Sequence, residues 1–300
     1  MAYLYGPHYA RIWDQALGSG SEVPLLNSLA SELAGYYGGT AAEAAKRMEE
    51  TWSSRTELAA ARLDLADVER YYRQEEHPIF TGMYWHSLKP NTWALVSVAA
   101  LHAAQRFAAG PKVLDFGHGV GSTGLLFARH GFDITMLDIS DPMHRFAEWR
   151  FARRGLNGRF LLGTNGLRPG ENFDVIVSLD VMEHLNDPLS AIRQMTGWLA
   201  PGGLLILNIA FGLDRNQPEH LLRRRLGILD AIRGLGLQRA TLDTLLVFYK
   251  QAPPGPRMLV RTADAVLAAW EDVRNSQFRP LAALSRRLRA HEAPGLLPPG

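Results

Sequence analysis

The stretch "VLDFGHGVGSTG", Val113–Gly124, decides how the rest of this chain is read. An apolar run ends on Asp115, glycines follow at 117, 119 and 121, and Ser122-Thr123-Gly124 leads into a helical pattern. A strand that ends in Gly-x-Gly and enters a helix sets backbone N–H groups and a helix N-terminus at the C-terminal edge of a sheet. Open α/β sheets bind ligands at that edge. Glycine there admits a ligand closer to the backbone than a Cβ would allow.

Outward from this stretch the chain falls into three regions. From Lys112 to about residue 251, strands and helices alternate, with strands expected at 112–116 "KVLDF", 133–138 "DITMLD", 159–163 "RFLLG", 173–179 "FDVIVSL" and 203–209 "GLLILNI". Such near-continuous apolar strands predict a parallel sheet covered by helices on both faces, an α/β doubly wound fold. The run "LQRATLDTLLVFYKQ", 237–251, reads instead as an antiparallel hairpin turning near Asp243-Thr244.

Residues 1–109 read as a mostly helical lid and substrate region. Thr40-Ala-Ala-Glu43 is a capping box, opening a helix on which Met48 and Trp52 lie one turn apart. Further helices are expected at 63–76 and 91–109, separated by an aromatic loop, "HPIFTGMYWHSLKP" at 77–90, punctuated by Pro78, Gly82 and Pro90. The expected nucleotide-binding domain spans 110–252. Residues 253–300 form a C-terminal extension with a helix around 262–290 and a frayed Pro/Gly-rich tail.

Composition removes several classes of chemistry. Of 300 residues 47% are hydrophobic, enough for one large domain. Net charge is +2, which gives no reason to expect nucleic acid or an anionic membrane as partner. Without cysteine there are no disulfides, thiolate nucleophiles or iron–sulfur clusters. The start "MAYLYGPHYARIWD" lacks the pattern of a signal peptide, and no apolar run would span a bilayer, so a cytoplasmic protein is expected.

Two cofactor pockets begin with glycine-rich turns, and three details separate them. Nicotinamide sites space their glycines G-x-G-x-x-G, whereas these alternate. Asp115, at the strand end, would repel a pyrophosphate but accept from an ammonium. Asp138 ends the next strand, where an acid can take both ribose hydroxyls. A ribose with a cationic amino-acid tail and no phosphate fits all three, which is the shape of S-adenosylmethionine.

With "LDIS" and "FDVIVSLDVMEHLNDPLSAIRQMTGWLAPGGLLIL" added, residues 111–251 resemble the class I S-adenosylmethionine-dependent methyltransferases. The resemblance implies a mostly parallel seven-stranded sheet with an antiparallel last strand. It implies that Asp115 and the loop of Phe116, Gly117, His118, Gly119 and Gly121 hold the methionine part, and that Asp138 holds the ribose. Ile139 and Met143 would flank the adenine, and Leu179 and Asp180 would floor the methyl-transfer site. Thr164 stands where many members carry an acid for the adenine amino group, leaving that contact to Thr164 or Asn165. His118 replaces a small residue, and its expected role is open between the cofactor carboxylate, the acceptor and solvent.

Methyl transfer from a sulfonium needs alignment, exclusion of water and, for a hydroxyl acceptor, a base. Asp180, Glu183 and His184 in "SLDVMEHLNDP" converge at the sheet edge. His184 is the general base or one wall of the acceptor pocket; alternatively Glu183-His184 caps and packs the next helix. The spacing is similar to the Glu-x-x-Glu-His of quinone-biosynthesis O-methyltransferases, where it holds magnesium. Here aspartate shortens the first ligand, and no metal is expected. His220, in the segment family members fold over the acceptor, is a second candidate. Tyr72, Phe80, Tyr84, Trp85 and His86 would form an apolar acceptor pocket, or else pack the lid. Trp270 on the last helix reads as core or subunit contact, so a homodimer is compatible with the sequence.

The expected function is methyl transfer to a small or medium-sized organic acceptor at oxygen, nitrogen or carbon, giving S-adenosylhomocysteine. The alternatives are an RNA- or protein-modifying methyltransferase and a silent cofactor-binding partner subunit.

Overall fold

The computed structural model describes residues 2–18, 23–60, 65–88, 92–209, 226–239 and 245–250. The chain divides into two units, Met1–Pro253 and Pro254–Gly300. The second unit, with the helix expected at 262–290, lies outside the described residues, as do His220 and the turn near Asp243.

Among the described residues six helices precede the sheet: α1 (Ala2–Leu17), α2 (Leu25–Tyr37), α3 (Ala41–Ala60), α4 (Leu65–Gln74), α5 (His77–Ser87) and α6 (Thr92–Phe107). The α3 start is a reciprocal capping box, in which Glu43 N–H donates to Thr40 Oγ1 at 3.2 Å and Thr40 N–H to Glu43 Oε2 at 2.8 Å. The aromatic segment expected as a loop is helix α5. Its Pro78 falls in the first turn, where a missing N–H costs nothing, and Gly82 faces Val120, whose Cγ1 would lie 3.5 Å from a Cβ at 82. Both breakers are thus accommodated inside one helix.

The sheet follows as β1 (Lys112–Phe116), β2 (Asp133–Asp138), β3 (Arg159–Leu162), β4 (Phe173–Leu179), β5 (Leu199–Asn208), β6 (Leu237–Arg239) and β7 (Leu246–Lys250), in the order β3-β2-β1-β4-β5-β7-β6. The first five strands run parallel, and β7 is antiparallel to both β5 and β6. The doubly wound, mostly parallel sheet with its late reversal is as expected. β1 and β4 are neighbours although two strands intervene in the chain, so the winding reverses between them and opens a crevice at their C-terminal ends.

Helices α7 (Ser122–Arg129), α8 (Asp141–Arg153), α9 (Pro188–Trp198) and α10 (Leu226–Gly234) cover the sheet. Strands β1, β4 and β5 are buried through their centres by Val113, Leu114, Val175, Ile176, Val177 and Leu204–Leu207. α7 lies very close on β2: a Cβ at Gly124 would come 2.2 Å from Met136 Sδ. Among the described residues no helix is long and apolar enough to cross a membrane.

Candidate functional site

The crevice is built around the bend between β1 and α7. Gly117, Gly119 and Gly121 all take positive φ, at 74°, 52° and 77°, so each position favours glycine for its backbone alone. Their surroundings differ. A Cβ at Gly117 would lie 2.6 Å from Val181 Cγ2 and one at Gly121 2.9 Å from Ala147 Cβ, whereas at Gly119 the closest atom is Met143 Sδ at 3.8 Å. Two of the glycines make room for the protein itself, and only Gly119 is left open to a ligand.

The loop amides also turn inward. Gly117 and His118 donate to the Leu137 carbonyl at 2.7 and 3.3 Å, Gly121 to the His118 carbonyl at 2.8 Å, and Gly119 to Asp138 Oδ2 at 2.8 Å. The cradle of free N–H groups expected from the motif is therefore largely engaged in holding the loop's own shape. That leaves poor provision for an anion.

A cation is better provided for. Asp115 is buried at the end of β1, and its Oδ2 has no hydrogen-bond partner. Burial, with the nearby Asp138 charge, pushes its carboxyl up to about 8, against a hydrogen bond from the Gly124 backbone. Asp138 is buried too, and accepts from Gly119 N–H and, at 2.9 Å, from Ser140 N–H. Each of its oxygens retains a second lone pair for a ligand hydroxyl.

Around these acids stand the other expected contacts. Met143 touches the open face of Gly119, and Ile139, half-buried, follows β2 directly. Thr164 and Asn165 are exposed in a 3-10 turn at the C-terminal end of β3, fixed by Gly163 N–H on the Asp138 carbonyl at 2.7 Å. Phe116 and Leu179 end the adjacent strands β1 and β4. His118 is different: its ring is buried between His144 of α8 and Phe160 of β3, with Nδ1 2.8 Å from the Gly119 carbonyl. Of the three roles left open for it, solvent exposure is excluded.

Past β4, Asp180 has φ 51°, the one positive value among described non-glycine residues. Its backbone N–H donates to the Asn208 carbonyl at 3.1 Å and its carboxylate accepts from Asn208 Nδ2, which clamps the ends of β4 and β5. Burial pushes the Asp180 carboxyl up to about 7. The turn Met182–His184 follows, with Glu183 fully buried and His184 half-buried. The Tyr72 hydroxyl of α4 lies 3.5 Å from His184 Nδ1, so a helix of the N-terminal region reaches the base candidate. Among the described residues no three acidic or histidine side chains gather as a metal site.

The aromatic group divides. Phe80 is buried against Tyr37 with the Arg47 guanidinium 3.9 Å above its ring, and His86 is buried edge-on to Trp13, 2.9 Å from Ser122 Oγ. Of the two expectations for this group, acceptor pocket or packing of the lid, the burial of Phe80 and His86 on inward faces of α5 fits the packing. Tyr84 and Trp85 are half-buried, with Trp52 5.5 and 5.4 Å from their rings. Val181 and Asn208, which shape the site, escape sequence reading: Val181 is an apolar residue among the acids and histidine of its motif, and Asn208 sits at the end of an apolar strand. Arg150 left a signal: it interrupts the apolar face of Phe146, Ala147 and Phe151 on α8.

Residues 84–231 match the family model described as a methyltransferase domain. The ubiquinone biosynthesis O-methyltransferase of Caulobacter sp. (strain K31) is 35% identical over 123 residues, 38% of this chain and 49% of that protein. The enzyme of the same name from Ruegeria pomeroyi is 34% identical over 116 residues, 38% of this chain and 46% of that protein. The chain thus spans about half the length of the curated relatives it matches. The N-methyltransferase NodS from Bradyrhizobium japonicum WM9, solved with S-adenosyl-L-homocysteine, is 20% identical at a TM-score of 0.45, covering 52% of this chain and 86% of that one. Residues 84–231 are thus those of a methyltransferase domain, in agreement with the resemblance to the class I S-adenosylmethionine-dependent methyltransferases.

Proposed function

We propose that this chain transfers a methyl group from S-adenosylmethionine to a hydroxyl of a small organic acceptor, releasing S-adenosylhomocysteine. The unpartnered buried oxygen of Asp115, beside a loop whose amides are engaged, carries the reading, since it suits an ammonium and disfavours a pyrophosphate. When bound, S-adenosylmethionine supplies a methyl on a sulfonium whose charge is lost on transfer.

This chain's residues then bind and orient. Asp115 pairs with the ammonium, Asp138 accepts from the ribose through its remaining lone pairs, and the open Gly119 admits the chain between them. Ile139, Met143, Thr164 and Asn165 surround the adenine. Asp180 and Leu179 form the floor, and His184, with the Tyr72 hydroxyl beside it, takes the proton of the acceptor hydroxyl. Helices of residues 1–109, with Tyr84 and Trp85, wall the acceptor side and exclude water, and 210–225 supplies His220 as a second candidate. Oxygen is favoured as the acceptor atom because the two relatives named above at 34–35% identity are O-methyltransferases. The near-balanced charge supports a free small molecule rather than nucleic acid as the acceptor.

The test is turnover of S-adenosylmethionine by the full chain against a panel of phenols, alcohols and amines. Mass spectrometry is expected to find S-adenosylhomocysteine together with a phenol or alcohol heavier by one methylene. Methylated amines alone would overturn the choice of oxygen, and failure to bind S-adenosylhomocysteine would overturn the function.

A further inference from the structure

A buried polar network joins the glycine loop to the N-terminal helices, and the proposed reaction makes no use of it. Its centre is Arg150 of α8, wholly buried. Nη1 donates to the Val120 carbonyl at 2.6 Å and to Ser122 Oγ at 2.8 Å, while Nη2 donates to Glu32 Oε2 of α2 at 3.0 Å. Arg154 bonds the other Glu32 oxygen. Although burial works against charge there, the two guanidiniums hold the Glu32 carboxyl below its usual range. Ser122 in turn meets His86 of α5 at 2.9 Å. Burial, reinforced by the Arg150 charge, pushes that imidazole down to about 3. The neutral ring can accept at Nδ1 the one proton Ser122 has to give while its oxygen accepts from Arg150.

Stability alone gives no reason for this arrangement. Arg150 shares its helix face with Phe146, Ala147 and Phe151, and an apolar residue there would avoid the desolvation of a guanidinium. What an arginine does that a leucine cannot is fix oxygens in place. The Val120 carbonyl follows directly on Gly119, the one glycine of the bend left open, and precedes Gly121; both glycines are at positive φ. A charged donor at 2.6 Å sets the orientation of the peptide between Val120 and Gly121. The same guanidinium grips α2, and the serine beside it grips α5.

We propose that Arg150 is a positioning residue: by holding the Val120 carbonyl and Glu32 at once, it makes the shape of the cofactor loop depend on the seating of α2 and α5. Cofactor affinity is then set partly by helices outside the sheet. The inference rests on the cofactor reading above and adds to it a route by which the N-terminal region acts on the loop.

The test is calorimetric titration of S-adenosylhomocysteine into the full chain, with a thermal melt and amide hydrogen exchange of residues 117–121. Wild type is measured first; if it takes up no ligand, the cofactor reading falls and this inference with it. The Glu32→Gln/Arg150→Met double variant removes both charges of the central pair, while Arg154 keeps its bonds to the Arg150 and Leu17 carbonyls and an amide oxygen at position 32. Folded, it is expected to bind about tenfold more weakly and to exchange its loop amides faster, on the scale of one charge-assisted hydrogen bond. Arg150→Lys keeps a charge for Glu32 but lacks the fork that reaches two partners, and it should fall between. Ser122→Ala should weaken binding about threefold, the scale of a neutral hydrogen bond. A packing role would lower the melting temperature yet leave affinity and loop exchange of the folded protein unchanged, and that result overturns the proposal. Should the double variant not fold, Ser122→Ala decides in the same terms.

Discussion

Asp115 and Asp138 sit close enough for one to raise the other's carboxyl pKa, yet only Asp138 has both oxygens engaged by backbone amides. The two acids therefore divide the labour of the site. Asp138 holds the bend in shape, while Asp115 is a buried carboxyl still lacking a partner for one oxygen.

That difference sets a pH dependence. The Asp115 carboxyl ordinarily ionises near 3.8 and here near 8, so between those values the native protein holds a proton that the unfolded chain has lost. Stability contributed by this group therefore falls as pH rises through that window. A cationic ligand needs the carboxylate, so affinity for S-adenosylhomocysteine should weaken by up to about tenfold per pH unit below 8. Calorimetry in buffers of different ionisation enthalpy should find a proton released on binding at pH 7, and none with Asp115→Asn.

Removing the carboxyl separates binding from folding. Asp115→Ala is expected to lower S-adenosylhomocysteine affinity about 100-fold, the scale of a charge-assisted hydrogen bond. Its melting temperature near pH 8 should equal or exceed that of wild type. Undiminished affinity would take Asp115 out of the site.

The glycines should fail in different ways. Gly117→Ala meets Val181 and a left-handed backbone together, and should cost about 3 kcal/mol of stability. Pairing it with Val181→Ala should recover part of that loss. Gly119→Ala has space and should cost only about 1 kcal/mol, while cofactor affinity drops. Denaturant melts beside binding isotherms would resolve the two.

At the acceptor side, His184→Ala should reduce kcat by about 100-fold, within the range of one general base, and leave S-adenosylhomocysteine affinity intact. Tyr72→Phe should reduce kcat about threefold, the scale of one neutral hydrogen bond. If His184→Ala turns over at the wild-type rate with the true acceptor, the histidine is a packing residue of the turn.

How much of this was readable from the chain depends on how local the cause is. The strands could be placed because β1, β2 and β4 are short apolar runs ended by turn residues, and the capping box because Thr40 and Glu43 satisfy each other within one turn. α5 was misread because Pro78 and Gly82 ordinarily break helices, whereas here Pro78 falls in the first turn and Gly82 is packed toward Val120. The partners of Arg150 were beyond reach, since Glu32 stands 118 positions away. The engaged loop amides were hidden for a similar reason: three of the four acceptors lie on β2, set there by the parallel pairing of β1 with β2.

The interlock of Gly124 with Met136 has a last consequence. A helix keyed that tightly into the sheet has no freedom to slide, so the far anchor of the bend is immobile before any ligand arrives. The mould is cast when the chain folds, and an incoming nucleoside has little of it left to order. Discrimination at that end of the crevice then falls to shape.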